Sequence, residues 1–229
     1  MSAILDQRLR FPDPRAADGE GLVAIGGDLS APRLRLAYRS GIFPWTVNPI
    51  TWWSPDPRAI FELEQFHVPR SLAKFIRKQP FEITRDRAFR QVMQACAVPA
   101  AGRGETWVTP EFIEAYTRLH EQGDAHSVEC WRGGELIGGI YGVSFGGFFA
   151  GESMFHRVTN ASKVALFHLV GHLRARGFAL FDIQMITPAT RQLGAVEIPR
   201  AEYLKRLKTA VQMAAPSVDA PQNFASLWR

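Results

Sequence analysis

Three apolar runs, 126–131, 135–143 and 147–155, follow one another with only short Gly-rich turns between them, notably Arg132-Gly-Gly. Runs of this length cut by glycines read as strands. Helices bracket them. Thr109-Pro110 is an N-cap followed by Pro at the first helical position, Phe112, Tyr116 and Leu119 then line one face, and Gly123 ends the helix. After the strands a helix from about 161 to 176 carries Leu166, Leu169, Val170 and Leu173 as its apolar stripe. A buried strand, 178–184, and an amphipathic helix from about 200 to 213 complete the series.

The first sixty residues are different: rich in Pro, Gly and Trp. Residues 22–29 read as a short strand and a Gly turn, and Ser30 caps a helix through Tyr38 that Gly41 stops. Trp45, Trp52 and Trp53 then alternate with Pro44, Pro49, Pro55 and Pro57. This spacing predicts an irregular aromatic segment, either a cover on the core or a stacking wall for a base or ring. Residues 69–97 read as two helices. On the first, about 69–78, Arg70, Lys74, Arg77 and Lys78 share one face while Leu72, Phe75 and Ile76 share the other. Residues 70–80 contain no acid, so the basic face reads as phosphate-binding, against the alternative of an ordinary solvated face. The whole predicts an α+β chain: a small N-terminal α/β domain, 1–62, and a C-terminal domain, 63–229. In the latter the order helix, three strands, helix, strand matches the core of GCN5-related acyltransferases, a fold analogy that says nothing of function by itself.

Of the 229 residues, 46% are apolar, enough for a real core. No apolar run approaches the roughly 18 residues of a membrane span, and the first residues hold no apolar signal region, so a cytoplasmic protein without membrane contact is expected. Cys96 and Cys130 lie in no CxxC or His/Cys cluster and read as small buried thiols, with no metal site. The net charge of +5 favours a polyanionic partner. A monomer is expected because no apolar face is left over.

Chemistry concentrates at two places. Glu152 stands among Phe148, Phe149, Met154 and Phe155, and Asp182 and Gln184 end the apolar run from Phe178. A carboxylate in such surroundings is costly unless paired or used. No G-x-S-x-G elbow exists, and the spacing of His126, Ser127 and His156 makes no triad. Before the helix at 161 the chain reads Phe155-His-Arg-Val-Thr-Asn-Ala-Ser162, without the glycines that let backbone amides approach a CoA pyrophosphate. An acyl donor other than CoA is then needed. An aminoacyl-tRNA fits: polyanionic, ending in an adenosine that aromatic rings stack on, and carrying an amino acid on an activated ester.

The segments Gly21-Leu-Val-Ala-Ile-Gly-Gly-Asp-Leu29, Gly41-Ile-Phe-Pro-Trp45, Trp52-Trp-Ser-Pro-Asp-Pro-Arg58, His126-Ser-Val-Glu129, Gly151-Glu-Ser-Met-Phe155, Asn160-Ala-Ser-Lys163, Asp182-Ile-Gln184, Leu193-Gly-Ala195 and Ile198-Pro-Arg200 are each weak but together specific. In order, from about Phe11 to Leu204, the chain resembles the leucyl/phenylalanyl-tRNA–protein transferase family. That resemblance implies transfer of Leu or Phe, and also Met, from tRNA to the N-terminal amine of proteins beginning with Arg or Lys. Such transfer marks them for N-end-rule degradation and uses no cofactor. It implies Glu152, Asp182 and Gln184 as the polar active-site residues, and Trp45 and Trp107 as contacts to the terminal adenosine. It further implies an amino-acid pocket of Ile140, Phe149, Met154, Leu169 and Leu173, and tRNA-phosphate contacts by Arg70, Lys74, Arg77 and Lys78. The chain departs from the family where Ala189 stands for a common His, Gln192 for a common Ser, Ala100 for a common Arg, and Ile140 where a Met occurs.

An N-terminal α-amine has a reference pKa of roughly 7.7–8.0, so much of it is neutral near pH 7 and a strong base is not essential. The expected roles follow: Gln184 orients the amine through its carbonyl oxygen, Asp182 fixes Gln184 or the attacking ammonium, and Glu152 binds the α-ammonium of the transferred residue. The proton leaves through Asp182, water or the ribose 2′-hydroxyl. Competing readings are a CoA-dependent acetyltransferase of the same fold, a non-catalytic RNA-binding module, and a transferase with acidic acceptor N-termini.

Overall fold

The structure, a computed structural model, describes residues 3–99 and 106–214; Ala100 lies outside them. The chain opens with β1, Ala3–Leu5, and β2, Leu22–Gly26, which pair in parallel. Helix α1, Ala31–Arg39, follows Ser30 and ends at Ser40 and Gly41, whose φ of +80° only glycine adopts without strain. Next come β3, Phe43–Val47, and β4, Ile50–Trp53, giving a four-stranded sheet in the order β1-β2-β4-β3. The Trp-rich segment is therefore a regular hairpin and not the irregular segment expected. Pro44 concealed it, yet β3 is an edge strand, where a residue without an N–H is tolerated.

Strand β5, Arg58–Phe61, is buried along its whole length and belongs to a second sheet. Helix α2, Arg70–Ile76, buries Leu72 and Ile76 and exposes Arg70 and Lys74. Between it and α3, Phe89–Cys96, lies β6, Glu82–Arg85, a strand absent from the two-helix expectation for 69–97. Its four residues gain their pairing only from β7, so local propensity did not reveal it. Helix α4, Pro110–Glu121, leads into β7, Ala125–Arg132, β8, Glu135–Phe145, and β9, Phe148–His156. Helix α5, Ala161–Ala175, crosses to β10, Leu180–Gln184, which lies parallel to β9. Short α6, Pro188–Gln192, β11, Ala195–Ile198, and α7, Arg200–Ala210, end the described chain. The seven-stranded sheet has the order β11-β5-β10-β9-β8-β7-β6.

The fold is thus mixed α/β with two sheets. The boundary expected at 62/63 falls just after β5, which hydrogen-bonds to β10 and β11 of the larger sheet. One apolar cluster runs from Val23, Leu34 and Trp52 through Phe112, Tyr116 and Phe148 to Tyr203, and a second lies under α5 and α2. Close packing needs glycine at one crossing in particular: a Cβ on Gly138 of β8 would lie 2.5 Å from the Ala161 Cβ of α5. Cys96 and Cys130 are buried free thiols. Among the described residues no helix is long and apolar enough to cross a membrane, and no three His, Cys, Asp or Glu gather as a metal would need.

Candidate active site

Strand β9 places Glu152 by breaking its own alternation. Opposite it on β8, Tyr141 pairs with Ser153 and Gly142 with Gly151, so Glu152 is an extra residue with no partner, a bulge. The bulge flips the faces. Before it Phe149 joins the cluster under α5 and Ala150 the other; after it Met154 joins the α5 cluster and Phe155 the other. A second irregularity lies beside it on β10, where Asp182 pairs with Ile60 and Gln184 with Ala59 of β5. Gln184 there takes φ of +57°, the left-handed region a residue with a side chain rarely visits. The two bulges turn Glu152 and Gln184 toward each other, and Gln184 Nε2 donates to Glu152 Oε1 at 2.9 Å.

Asp182 is fully buried and takes four donors. Arg58 Nε and Nη2 approach its two oxygens at 2.9 and 2.6 Å, Tyr203 Oη at 2.8 Å and the Gln184 backbone N–H at 2.9 Å. Arg58 is only 1% exposed. Its guanidinium lies over the rings of Phe43 and Tyr203, 4.8 and 4.4 Å from their centroids, and donates to Gly41 O. Burial works against the Arg58 charge, but Asp182 beside it holds the guanidinium above its ordinary pKa. Such a paired, hydrogen-bonded carboxylate fixes geometry: through the Gln184 N–H it helps hold the strained turn in place.

Burial pushes Glu152 up to about 8, with the neighbouring Asp182 charge adding to the rise; hydrogen bonds from Tyr38 and Tyr116 and the charge of Arg58 work the other way. Tyr38 and Tyr116 are themselves buried and hydrogen-bonded to each other. Burial, and then the Glu152 charge, raises both phenols well above their ordinary range, so they remain donors at neutral pH.

Of these groups, Glu152 and Gln184 face a cavity of about 880 Å³. Its wall includes Trp45, Trp107, Glu152 and Gln184, together with Ile140 and Met154. Phe43, Phe61, Phe155 and Leu166 supply further apolar wall, and Ala189 and Thr190 of α6 another side. Phe149, Leu169 and Leu173 do not line it; they are 3%, 3% and 1% exposed, packed in the apolar cluster under α5. Asp182 also stands behind the wall. Gln192 is exposed on α6, away from the lining. Arg70, Lys74, Arg77 and Lys78 are all exposed, and among the described residues none of the four forms an ion pair. The residues that sequence reasoning missed are Arg58, Tyr203, Tyr38 and Tyr116. Arg58 ends a quoted motif, but no local pattern singles out the tyrosines.

The family model described as leucyl/phenylalanyl-tRNA protein transferase matches residues 60–208, and that of the family's N-terminal domain matches 27–56. The leucyl/phenylalanyl-tRNA–protein transferase of Pseudoalteromonas atlantica is 51% identical, over 91% of this chain and 91% of that protein. That of Magnetococcus marinus is 52% identical, over 90% and 91%. Among solved structures, L-PGS from Bacillus licheniformis superposes with a TM-score of 0.41 and 16% identity, covering 74% of this chain and 54% of that one.

Proposed function

The chain belongs to the leucyl/phenylalanyl-tRNA protein transferase family, and from that premise we propose that it moves Leu, Phe or Met from aminoacyl-tRNA to the N-terminal amine of proteins beginning with Arg or Lys. As a member it is an aminoacyltransferase that passes an amino acid from tRNA to protein. Delivery of the products to N-end-rule degradation in the cytoplasm is part of the same reading. The observation that carries it is the Glu152–Gln184 hydrogen bond at 2.9 Å, in a mostly apolar cavity that also holds Trp45 and Trp107.

In this reading the terminal adenosine lies against Trp45 and Trp107, and the Leu or Phe side chain fills the apolar wall near Ile140 and Met154. β-Branched Val and Ile, stiff at χ1, fit poorly. The α-ammonium of the donor meets Glu152. With a pKa raised to about 8 by burial, Glu152 holds a proton at neutral pH; an arriving ammonium favours the carboxylate and releases that proton. Gln184 donates Nε2 to Glu152, which leaves its Oε1 to accept from the attacking amine. An amide is no base, and the oxygens of Asp182 are engaged by Arg58, Tyr203 and the Gln184 N–H. The proton of the amine therefore leaves through water or the ribose 2′-hydroxyl. Asp182 acts by fixing Gln184. No cofactor enters, since the ester is already activated, and most of the rate comes from positioning.

The test is transfer of labelled Leu from charged tRNA to peptides that differ only in a first residue of Arg, Lys, Asp, Glu or Ala. Transfer to Arg and Lys alone is expected. Transfer to Asp or Glu overturns the acceptor assignment, and acetyl-CoA turnover without transfer overturns the reading.

A further inference from the structure

Three cations have no role in the reaction as described: Arg132, Arg157 and Lys163. Contacts link Arg132 and Arg157, and the cavity wall that Arg157 reaches also carries Lys163. Phe75 of α2 packs edge-on against Phe81 with ring centroids 5.6 Å apart, and the Arg132 guanidinium lies over that Phe81 ring at 5.1 Å. Arg132 pairs across the β7–β8 turn with Glu135. Arg157 reaches the same turn, 3.6 Å from Glu135 and donating to Leu136 O at 3.3 Å. Arg157 also lines the cavity, as does Lys163. The three thus make a band from the basic helix α2 to the chamber that holds Glu152. Glu135 is the acid in contact with it, and its side chain is 68% exposed, so solvent screens the pair and little of the positive field is cancelled.

Lys163 is the informative member. It is half-buried on the first turn of α5 and, among the described residues, has no ion-pair partner. A half-buried ammonium in the wall of a mostly apolar cavity gains nothing for the fold unless an anion arrives. The anion that arrives with an aminoacyl-tRNA is backbone phosphate.

We propose that Arg132, Arg157 and Lys163 form a phosphate track that leads the single-stranded 3′ end of the tRNA from α2 into the cavity, with Lys163 taking the phosphate on the 5′ side of the terminal adenosine. The proposal rests on the donor assignment above. It adds a contact near the chemistry that is distinct from the exposed face of α2. Such a contact is made to phosphate and so positions the end without reading its sequence.

The experiment compares two minimal donors, Phe esterified to adenosine and Phe esterified to cytidylyl-adenosine, with an Arg-initiated peptide as acceptor. They differ by one nucleotide and its bridging phosphate. The intact enzyme is expected to prefer the dinucleotide ester in kcat/KM by about 10-fold, the scale of one charge-assisted contact. In Lys163→Gln that preference collapses toward unity, and in Lys163→Arg it returns. Arg132→Gln, on an exposed turn, acts further out: its salt slope for charged tRNA falls by about 0.7, the share of one phosphate on a single strand. A Lys163→Gln enzyme that loses both donors in equal proportion makes Lys163 ordinary cavity wall and overturns the track. An intact enzyme that transfers from charged tRNA but shows no preference between the two esters overturns the track alone; one that transfers from neither ester nor from charged tRNA overturns the donor assignment, and the track with it.

Discussion

Asp182 and Glu152 are both carboxylates deep in the protein, yet their surroundings give them opposite tasks. Asp182 has a full set of donors and a buried guanidinium. Removing that partner leaves an uncompensated buried charge, so Arg58→Met should destabilise the protein by about 3–5 kcal/mol in urea unfolding. Tyr203→Phe removes one donor and should cost about 1–3 kcal/mol by the same measurement. Glu152 lacks a cation of its own and is raised from 4.5 to about 8. The folded state therefore holds a proton that the unfolded state gives up between those values. The stability this lends is complete below about 4.5 and is lost as pH rises through about 8. Glu152→Gln, which cannot titrate, should flatten that fall in a pH series of unfolding midpoints; an unchanged series would show that Glu152 is solvated like an ordinary surface acid. At this scale the sequence marked Glu152, Asp182 and Gln184 because polar groups inside apolar runs stand out locally. Arg58 is 124 positions from Asp182, and Tyr38 is 78 from Tyr116. Nothing local joins residues so distant.

Among the elements, the long helices and the strands β7 to β10 were legible because their apolar periods are strong and glycines punctuate them. β5, β6 and β11 have four residues each and draw their stability from neighbours, so a single segment does not announce them. The bulge at Glu152 was equally hidden, since a one-residue slip changes no residue type. It depends on the tight approach of β8 and β9: a Cβ on Gly142 would meet Ala150 O at 2.1 Å and the Phe149 ring at 2.5 Å. Gly142→Ala should part the two strands, lower stability by about 1–3 kcal/mol and reduce transfer by displacing Glu152. An alanine enzyme with intact stability and transfer would mean that the bulge does not depend on this contact. On α2 the amphipathic pattern was readable and its basic face is exposed as expected. Lys74→Ala with Arg77→Ala should weaken tRNA binding and lower the salt slope by roughly 2; an unchanged slope removes α2 from the interface.

For the molecule as a whole, the apolar cluster that holds Val23, Leu34 and Trp52 continues into α4, β8, β9 and α7, and β5 sits within the larger sheet. Far-UV circular dichroism, which follows both sheets, and tryptophan fluorescence, weighted to the first fifty-three residues, should therefore report one coincident unfolding transition. Two separated transitions would instead divide the chain near residue 62.

By itself the sequence carried the mixed α/β character, the order of the strongly periodic elements and the family, and it singled out Glu152, Asp182 and Gln184 as polar groups in apolar runs, because each is written in local patterns of polarity, glycine and charge. Only the tertiary structure decided which of those residues face the cavity and which stand behind it. Phe149, Leu169 and Leu173 are of the right type for the wall yet pack under α5, and Asp182 is clamped by Arg58 and Tyr203. The reason is physical: the direction of a side chain on β9 and β10 is set by two bulges and by partners far away in the chain, and these exist only once the sheet has closed.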